Sequence, residues 1–303
     1  MNREQMDALI DLAGGKLQCG CSMASYTTFR VGGCVDALLK VQEAGDLLNV
    51  IPFLQKEGIP WFVVGRGSNL LIMDADVPGV AIRLEGTLAA IGGQMSRSGV
   101  IIAGAGASLR QLLELCRRKG YGGAEFLAGI PGTVGGAAVM NAGAFGKDMT
   151  SLVCKMEMVT PGGELVERDG EKLSFGYRKL ELEEGAVVTR VHLKLEKSTP
   201  TEVVERIKSY LSRRKEKQPF EYPSAGSIFK NPPGDYAGRL IELAGLKGKR
   251  RGDAMVSTKH ANWIVNTGEA SSRDILGLIT LVRETVSKKL GINLELEIRV
   301  IGR

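Results

Sequence analysis

Apolar positions along this chain recur with two periods that take turns. Leu109, Leu112, Leu113 and Cys116 share one face at helical spacing, and Ser108 with Gln111 just before them has the spacing of a capping box. The same period marks 201–217, where Val203, Val204, Ile207, Tyr210 and Leu211 turn inward. It returns in 271–290, where Ile275, Leu278, Ile279, Val282 and Val286 form a stripe that Gly291 stops. Residues 3–12 and a segment near 236–246 read as further helices. In 46–58, Leu47, Leu48, Ile51 and Leu54 fit a helix face that Pro52 is expected to weaken or kink.

Between these lie runs with strand character. They include 26–41 as a turn and strand, Trp61–Val64, the segment 70–84 as strand and turn, and a strand starting at Val100. From Lys155 to Leu195, short strands around a Pro161-Gly162-Gly163 turn predict an antiparallel set. ANWIVN (261–266) reads as a strand. The last run alternates, with Leu294, Leu296, Ile298 and Val300 on one face and Glu295, Glu297 and Arg299 on the other. Strands mixed with helices in this order predict an α+β chain of two or three domains.

One stretch fits neither period. Nine glycines fall between Gly120 and Gly146, where Glu125 is the only charged side chain. Interleaved Phe126, Leu127, Ile130, Val134, Val139, Met140 and Phe145 argue against a flexible linker. Backbone that exposes N–H groups and admits a ligand closely is a cradle. A second glycine turn, Gly65-Arg66-Gly67-Ser68-Asn69, follows a strand directly, which is a phosphate-binding layout. It is no dinucleotide fingerprint of the usual kind, because Leu70 takes the third glycine's place and a strand follows instead of a helix. Gly104 and Gly106 fail the same test at Leu109. Gly146-Lys147-Asp148 fails the P-loop test. A ligand that touches both 65–69 and 129–136 is long and anionic, like a dinucleotide.

Composition narrows the classes. The chain has 303 residues, 44% hydrophobic and 24% charged, the balance of a globular protein. No apolar run reaches a membrane span and the opening residues lack a signal-peptide core, so the expected location is the cytoplasm. Five cysteines are too few and too scattered for a disulfide framework. With only two histidines, no metal site is expected. A net charge of +6 favours an anionic partner. Nucleic acid is disfavoured, since aromatics make up 5% of the chain and none interleave with the basic clusters at 213–217 and 247–251.

Eight short motifs stand in one order: TTFRVGG (27–33), GRGSNLL (65–71), AGIPGTVGGAAVMNAGAFG (128–146), FGYR (175–178), SAGSIFKNP (224–232), AGRLIELAGLKG (237–248), STKHANWIVN (257–266) and LEIRVIG (296–302). In this order the chain resembles the UDP-N-acetylenolpyruvoylglucosamine reductases, the MurB flavoenzymes of peptidoglycan precursor synthesis, over nearly its full length. Only KLELEEGA separates Arg178 from Val187, which is similar to the short-loop, type II branch. Many relatives carry Ser where this chain has Leu180. The resemblance implies a two-part FAD-binding module of the vanillyl-alcohol oxidase and para-cresol methylhydroxylase type, formed by 1–83 with 292–303 and by 84–200. To this is added an α+β substrate-binding domain at 201–291.

What the resemblance implies about chemistry is specific. NADPH reduces FAD, and hydride then passes to C3 of the enolpyruvyl group of a UDP-sugar, leaving charge at C2 that must be stabilised and protonated. The resemblance gives the stabilising roles to Arg178 and to Glu297 as a protonated donor, and the proton to Ser227. It implies FAD contacts from Arg30, Gly65, Arg66, Gly67, Ser68 and Asn69, and from Gly129, Ile130, Gly132, Thr133, Gly135 and Gly136. Tyr177, Lys217, Lys230 and Asn231 are implied for the UDP-sugar. Each has a plainer reading: Arg178 as a surface partner of Glu181 or Glu183, Ser227 as a turn serine, Glu297 as an exposed strand residue. His260 is read as packed or solvent-facing. No obligatory protein partner is implied. Two alternatives stand beside this expectation: an FAD oxidoreductase of the same fold with another substrate, and a nucleotide- or RNA-binding protein without chemistry.

Overall fold

The computed structural model describes residues 1–92 and 94–302. Seven α-helices are present among them: α1 (Arg3–Ala13), α2 (Gly45–Lys56), α3 (Leu109–Lys119), α4 (Val134–Val139), α5 (Pro200–Lys217), α6 (Ala237–Leu243) and α7 (Ser272–Leu290). The chain packs as two compact units. Among the described residues, one comprises 1–19, 37–65 and 79–212, and the other comprises 20–36, 66–78 and 213–302.

In the first unit, the strands at 165–169, 153–159, 187–194 and 100–104 form one antiparallel sheet in that order, as the short runs around Pro161 predict. Its inner face contributes Met156, Val191, Leu193 and Ile101, and α3 adds all four predicted apolar positions to the same core. The Ser108 capping box forms as its spacing requires, with Gln111 N–H donating to the Ser108 hydroxyl at 3.2 Å and the Gln111 side chain accepting from Ser108 N–H at 2.8 Å. A second four-stranded sheet contains 17–22, 34–41, 77–84 and 61–63.

Two expectations for this unit change. The α2 helix runs through Pro52, with Leu47, Val50, Ile51 and Leu54 buried. The Leu48 carbonyl, which no N–H of Pro52 can serve, instead faces Gly163, where a Cβ would lie 2.2 Å from that oxygen. The FGYR motif, which falls in the 155–195 segment of predicted short strands, is a hairpin of its own: 174–176 pairs with 179–181, and Tyr177 and Arg178 form its two-residue turn. A hairpin here needs a left-handed residue, and Arg178 supplies it at φ 59°.

The second unit is built on α7, whose five predicted apolar residues are all buried. Around it lie α6, the short antiparallel strands 250–251, 254–256 and 264–266, and the parallel pair of 70–72 with 299–301. The terminal alternation is real but only partly a strand. Leu294 and Ile298 are buried, Arg299–Ile301 pairs with Leu70–Ile72, and Leu296 bridges Phe229. α6 is shorter at both ends than the sequence suggests. No helix among the described residues is long and apolar enough to cross a membrane.

Candidate active site

Within the first unit, a Cβ on Gly65 would stand 2.8 Å from Thr133 Oγ1, so glycine at 65 is what allows the chain to pass this close to Thr133. Thr133 caps α4, its hydroxyl accepting from Gly136 N–H at 3.2 Å. The segment 132–135 is strapped along 105–109: Val134 N–H donates to the Ala107 carbonyl, Gly135 N–H to the Ala105 carbonyl and Leu109 N–H to the Gly132 carbonyl, all within 3.0 Å. Glycine at 104, 106 and 135 is therefore demanded by the chain's own backbone, since a Cβ at each would come within 2.5 Å of Leu88, Leu84 or Ala105.

What remains for a ligand is the backbone not spent in this way. The N–H groups of Gly129, Gly132 and Thr133, and those of Arg66, Gly67 and Ser68, make no hydrogen bond within the described residues. Unspent backbone donors on a glycine-rich turn, the second set directly before α4, suit a phosphate group such as FAD carries. The cofactor expected from the sequence fits this chain. Gly129 has φ 80° and Ile130 N–H is spent on the Leu127 carbonyl.

In the second unit the 66–69 turn is seated on the TTFRVGG loop. Thr28 N–H donates to the Gly67 carbonyl at 3.4 Å, and Gly67, at φ 60°, faces the Tyr26 carbonyl so closely that a Cβ would lie 2.1 Å from its oxygen. Arg30 ends this loop in a left-handed conformation, φ 60°, with its N–H on the Thr27 carbonyl. Asn69 turns its amide the other way and donates to the Glu297 carbonyl at 3.0 Å. Glu297 N–H in turn donates to the Ile228 carbonyl at 2.8 Å. One strip of backbone thus joins the cofactor turn, Glu297 and the loop of Ser227. Glu297 is half-buried, not the exposed strand residue of the plainer reading.

Ser227 lines a cleft of about 390 Å³ with Asn231, Tyr236, Arg239, Lys259 and His260 among its walls. The Asn231 side-chain oxygen accepts from Ala237 N–H at 3.0 Å, which leaves its amide hydrogens as donors. Lys230 pairs with Glu295 at 3.0 Å, so its amine is already engaged. Lys217 is exposed at the end of α5. His260, set aside on sequence grounds, belongs to this cleft. Burial pushes its pKa down and nearby Lys247 adds to the effect. Its Nδ1 accepts from Asn262 N–H at 3.3 Å, which places the proton of the neutral ring on Nε2. An isolated histidine in STKHANW carries no periodic signal that could have revealed this.

Arg178 belongs to the first unit. Its guanidinium lies over the Tyr177 ring, 5.4 Å from the centroid, and beside Gly143. Glu181, one of its two candidate surface partners, is taken by Lys179 at 3.4 Å. Leu180 is buried in the core, which explains an apolar residue there.

This cradle is that of an FAD-binding protein. A profile described as FAD binding domain matches residues 35–169. A VAO-type flavoprotein from Myceliophthora thermophila shares the fold, with TM-score 0.50 and 13% identity over 65% of this chain and 48% of that one. The chain belongs to the UDP-N-acetylenolpyruvoylglucosamine reductase family, whose C-terminal domain profile matches residues 218–301. UDP-N-acetylenolpyruvoylglucosamine reductase 2 of Symbiobacterium thermophilum is 41% identical over 95% of this chain and 93% of its own length. The enzyme of Caldanaerobacter subterraneus is 40% identical over 96% and 95%. The crystal structure of the Thermus caldophilus reductase superposes with TM-score 0.81 at 39% identity, over 93% of this chain and 98% of that one.

Proposed function

We propose that this chain reduces UDP-N-acetylglucosamine enolpyruvate to UDP-N-acetylmuramate with NADPH, through FAD, in peptidoglycan precursor synthesis. The observation that carries this reading is near-complete similarity, about 40% identical, to reductases named for that reaction. The bridge from Asn69 through Glu297 to the loop of Ser227 supports it.

When bound and reduced by NADPH, FAD supplies hydride for C3 of the enolpyruvyl group. Everything else falls to the chain. The N–H groups of Arg66, Gly67 and Ser68 and those of Gly129, Gly132 and Thr133 would hold the pyrophosphate, with Arg30, Gly65, Asn69, Ile130, Gly135 and Gly136 shaping the turns that carry them. As charge develops at C2, the Arg178 guanidinium and a protonated Glu297 stabilise the enolate. The Ser227 hydroxyl then gives C2 its proton. Tyr177, Lys217, Lys230 and Asn231 receive the UDP-sugar, the amide of Asn231 as a donor and Lys230 by leaving Glu295. In this account 201–291 carries the substrate, while 1–83 with 292–303 and 84–200 divide the cofactor, and the reaction takes place in the cytoplasm.

The test is direct. The purified protein should be yellow, and under nitrogen it should oxidise NADPH beyond one equivalent per flavin only when the enolpyruvyl sugar nucleotide is added. A colourless protein, or NADPH oxidation that needs oxygen and ignores the sugar nucleotide, would sink the reading.

A further inference from the structure

We propose that Asn141 is a positioning residue for Arg178, its carboxamide fixing the hairpin turn that carries that guanidinium. The inference rests on the reading of Arg178 as the cation that meets the developing enolate.

Asn141 lies within the glycine-rich stretch and is 5% exposed, with φ 39°, a left-handed backbone that asparagine tolerates better than most residues. Its carboxamide is fully employed. Nδ2 donates to the Gly176 carbonyl at 3.0 Å and to Asp148 Oδ2 at 3.3 Å. Oδ1 accepts from Thr150 N–H and from the Thr150 hydroxyl, each at 3.2 Å. Two donors and two acceptor positions therefore tie Asn141 to two separate pieces of chain, 148–150 and Gly176. Gly176 is the residue immediately before the Tyr177-Arg178 turn, so one of these bonds ends on the hairpin itself.

That hairpin needs an outside anchor. It has three residues per strand, too few to be rigid alone, and its turn holds a non-glycine residue, Arg178, in the left-handed region. Gly143 completes the seat. It pairs with Asp148, and a Cβ there would lie 2.8 Å from Asp148 Cβ and 3.2 Å from Arg178 Nη1. The backbone beside the guanidinium is thus the same strip that Asn141 ties to Asp148 and Thr150. A side chain that must meet charge as it forms needs placement to within a fraction of an ångström, and a misplacement of about 1 Å slows a reaction roughly 100-fold.

A buried asparagine with only a structural role would lower stability or flavin content without regard to Arg178, so the test asks for coupling. Asn141→Gly keeps the left-handed backbone accessible and removes the amide. Asn141→Asp keeps the acceptor for Thr150 but sets a carboxylate against the Gly176 carbonyl and Asp148. In the FAD-loaded, full-length enzyme, both should slow reoxidation of reduced flavin by the enolpyruvyl sugar nucleotide by about 10-fold to 100-fold. Substrate dissociation constants, read from the flavin absorbance change on binding, should stay within about threefold. In an Arg178→Ala background the same changes should lose nearly all their effect. Thr150→Val, which deletes one bond to Oδ1 and is the milder change if the others fold poorly, should show the same loss of effect. Effects that simply add to that of Arg178→Ala, or wild-type reoxidation in Asn141→Gly, would overturn the proposal. A normal rate in Arg178→Ala alone would overturn the role of Arg178 and this inference with it.

Discussion

Ser227→Ala should leave flavin reduction by NADPH near the wild-type rate and slow reoxidation by the enolpyruvyl sugar nucleotide by about 10²-fold to 10⁴-fold, the usual scale for a positioned proton donor. The expectation comes from the order of events, because the hydroxyl is asked for its proton only once hydride has left the flavin. Rapid mixing separates the halves. Substrate binding should change little, since the hydroxyl acts mainly in the transition state. Ser227→Cys should recover part of the loss, a thiol being able to give a proton although its size and pKa differ. A Ser227→Ala enzyme reoxidised at the normal rate would falsify the assignment and leave Ser227 a turn serine.

Gly67→Val should cost the protein its flavin. At φ 60° a β-branched residue is strained by about 1–3 kcal/mol. The Cβ would also drive into the Tyr26 carbonyl, and that clash can be relieved only by lifting the 66–69 turn off its loop. The donors of Arg66, Gly67 and Ser68 would then miss the pyrophosphate together. FAD affinity should fall by about 100-fold or more, which is roughly 2.7 kcal/mol. Gly14→Val is the matched control. Its φ is 55° and no atom lies within 4 Å of its Cβ position, so it carries the strain without the displacement. That variant should be slightly less stable yet keep its flavin. Equal flavin content in the two would remove the 65–69 turn from the cofactor site.

Much of the fold could be read from the chain because the relevant forces are local. The stripes of α3 and α7, the Ser108 capping box and the Gly291 stop are decided within one or two turns of helix. The rejection of a dinucleotide fingerprint at 65–70 also needed only neighbours, since a strand follows there. What escaped depends on partners distant in sequence. Gly163 lies against the Leu48 carbonyl beside Pro52, and Asn141 bonds to Gly176 at the FGYR hairpin. Glycine at 104, 106 and 135 also serves close approaches of the chain to itself, which the sequence does not display. Arg178, Ser227 and Glu297 carried no local signature strong enough to displace their plainer readings, and resemblance alone singled them out. The structure adds a joined backbone from Asn69 to Ser227 and brings His260 into the same cleft.

The central claim is that the reducing equivalents from NADPH end on the enolpyruvyl group of a UDP-sugar. A single turnover under nitrogen measures this most directly. Enzyme reduced by one equivalent of NADPH is mixed with the enolpyruvyl sugar nucleotide, while flavin absorbance and product are followed together. The account predicts full return of the oxidised flavin spectrum, with UDP-N-acetylmuramate formed mole for mole. Flavin that stays reduced until oxygen is admitted, with the sugar nucleotide recovered unchanged, would contradict it.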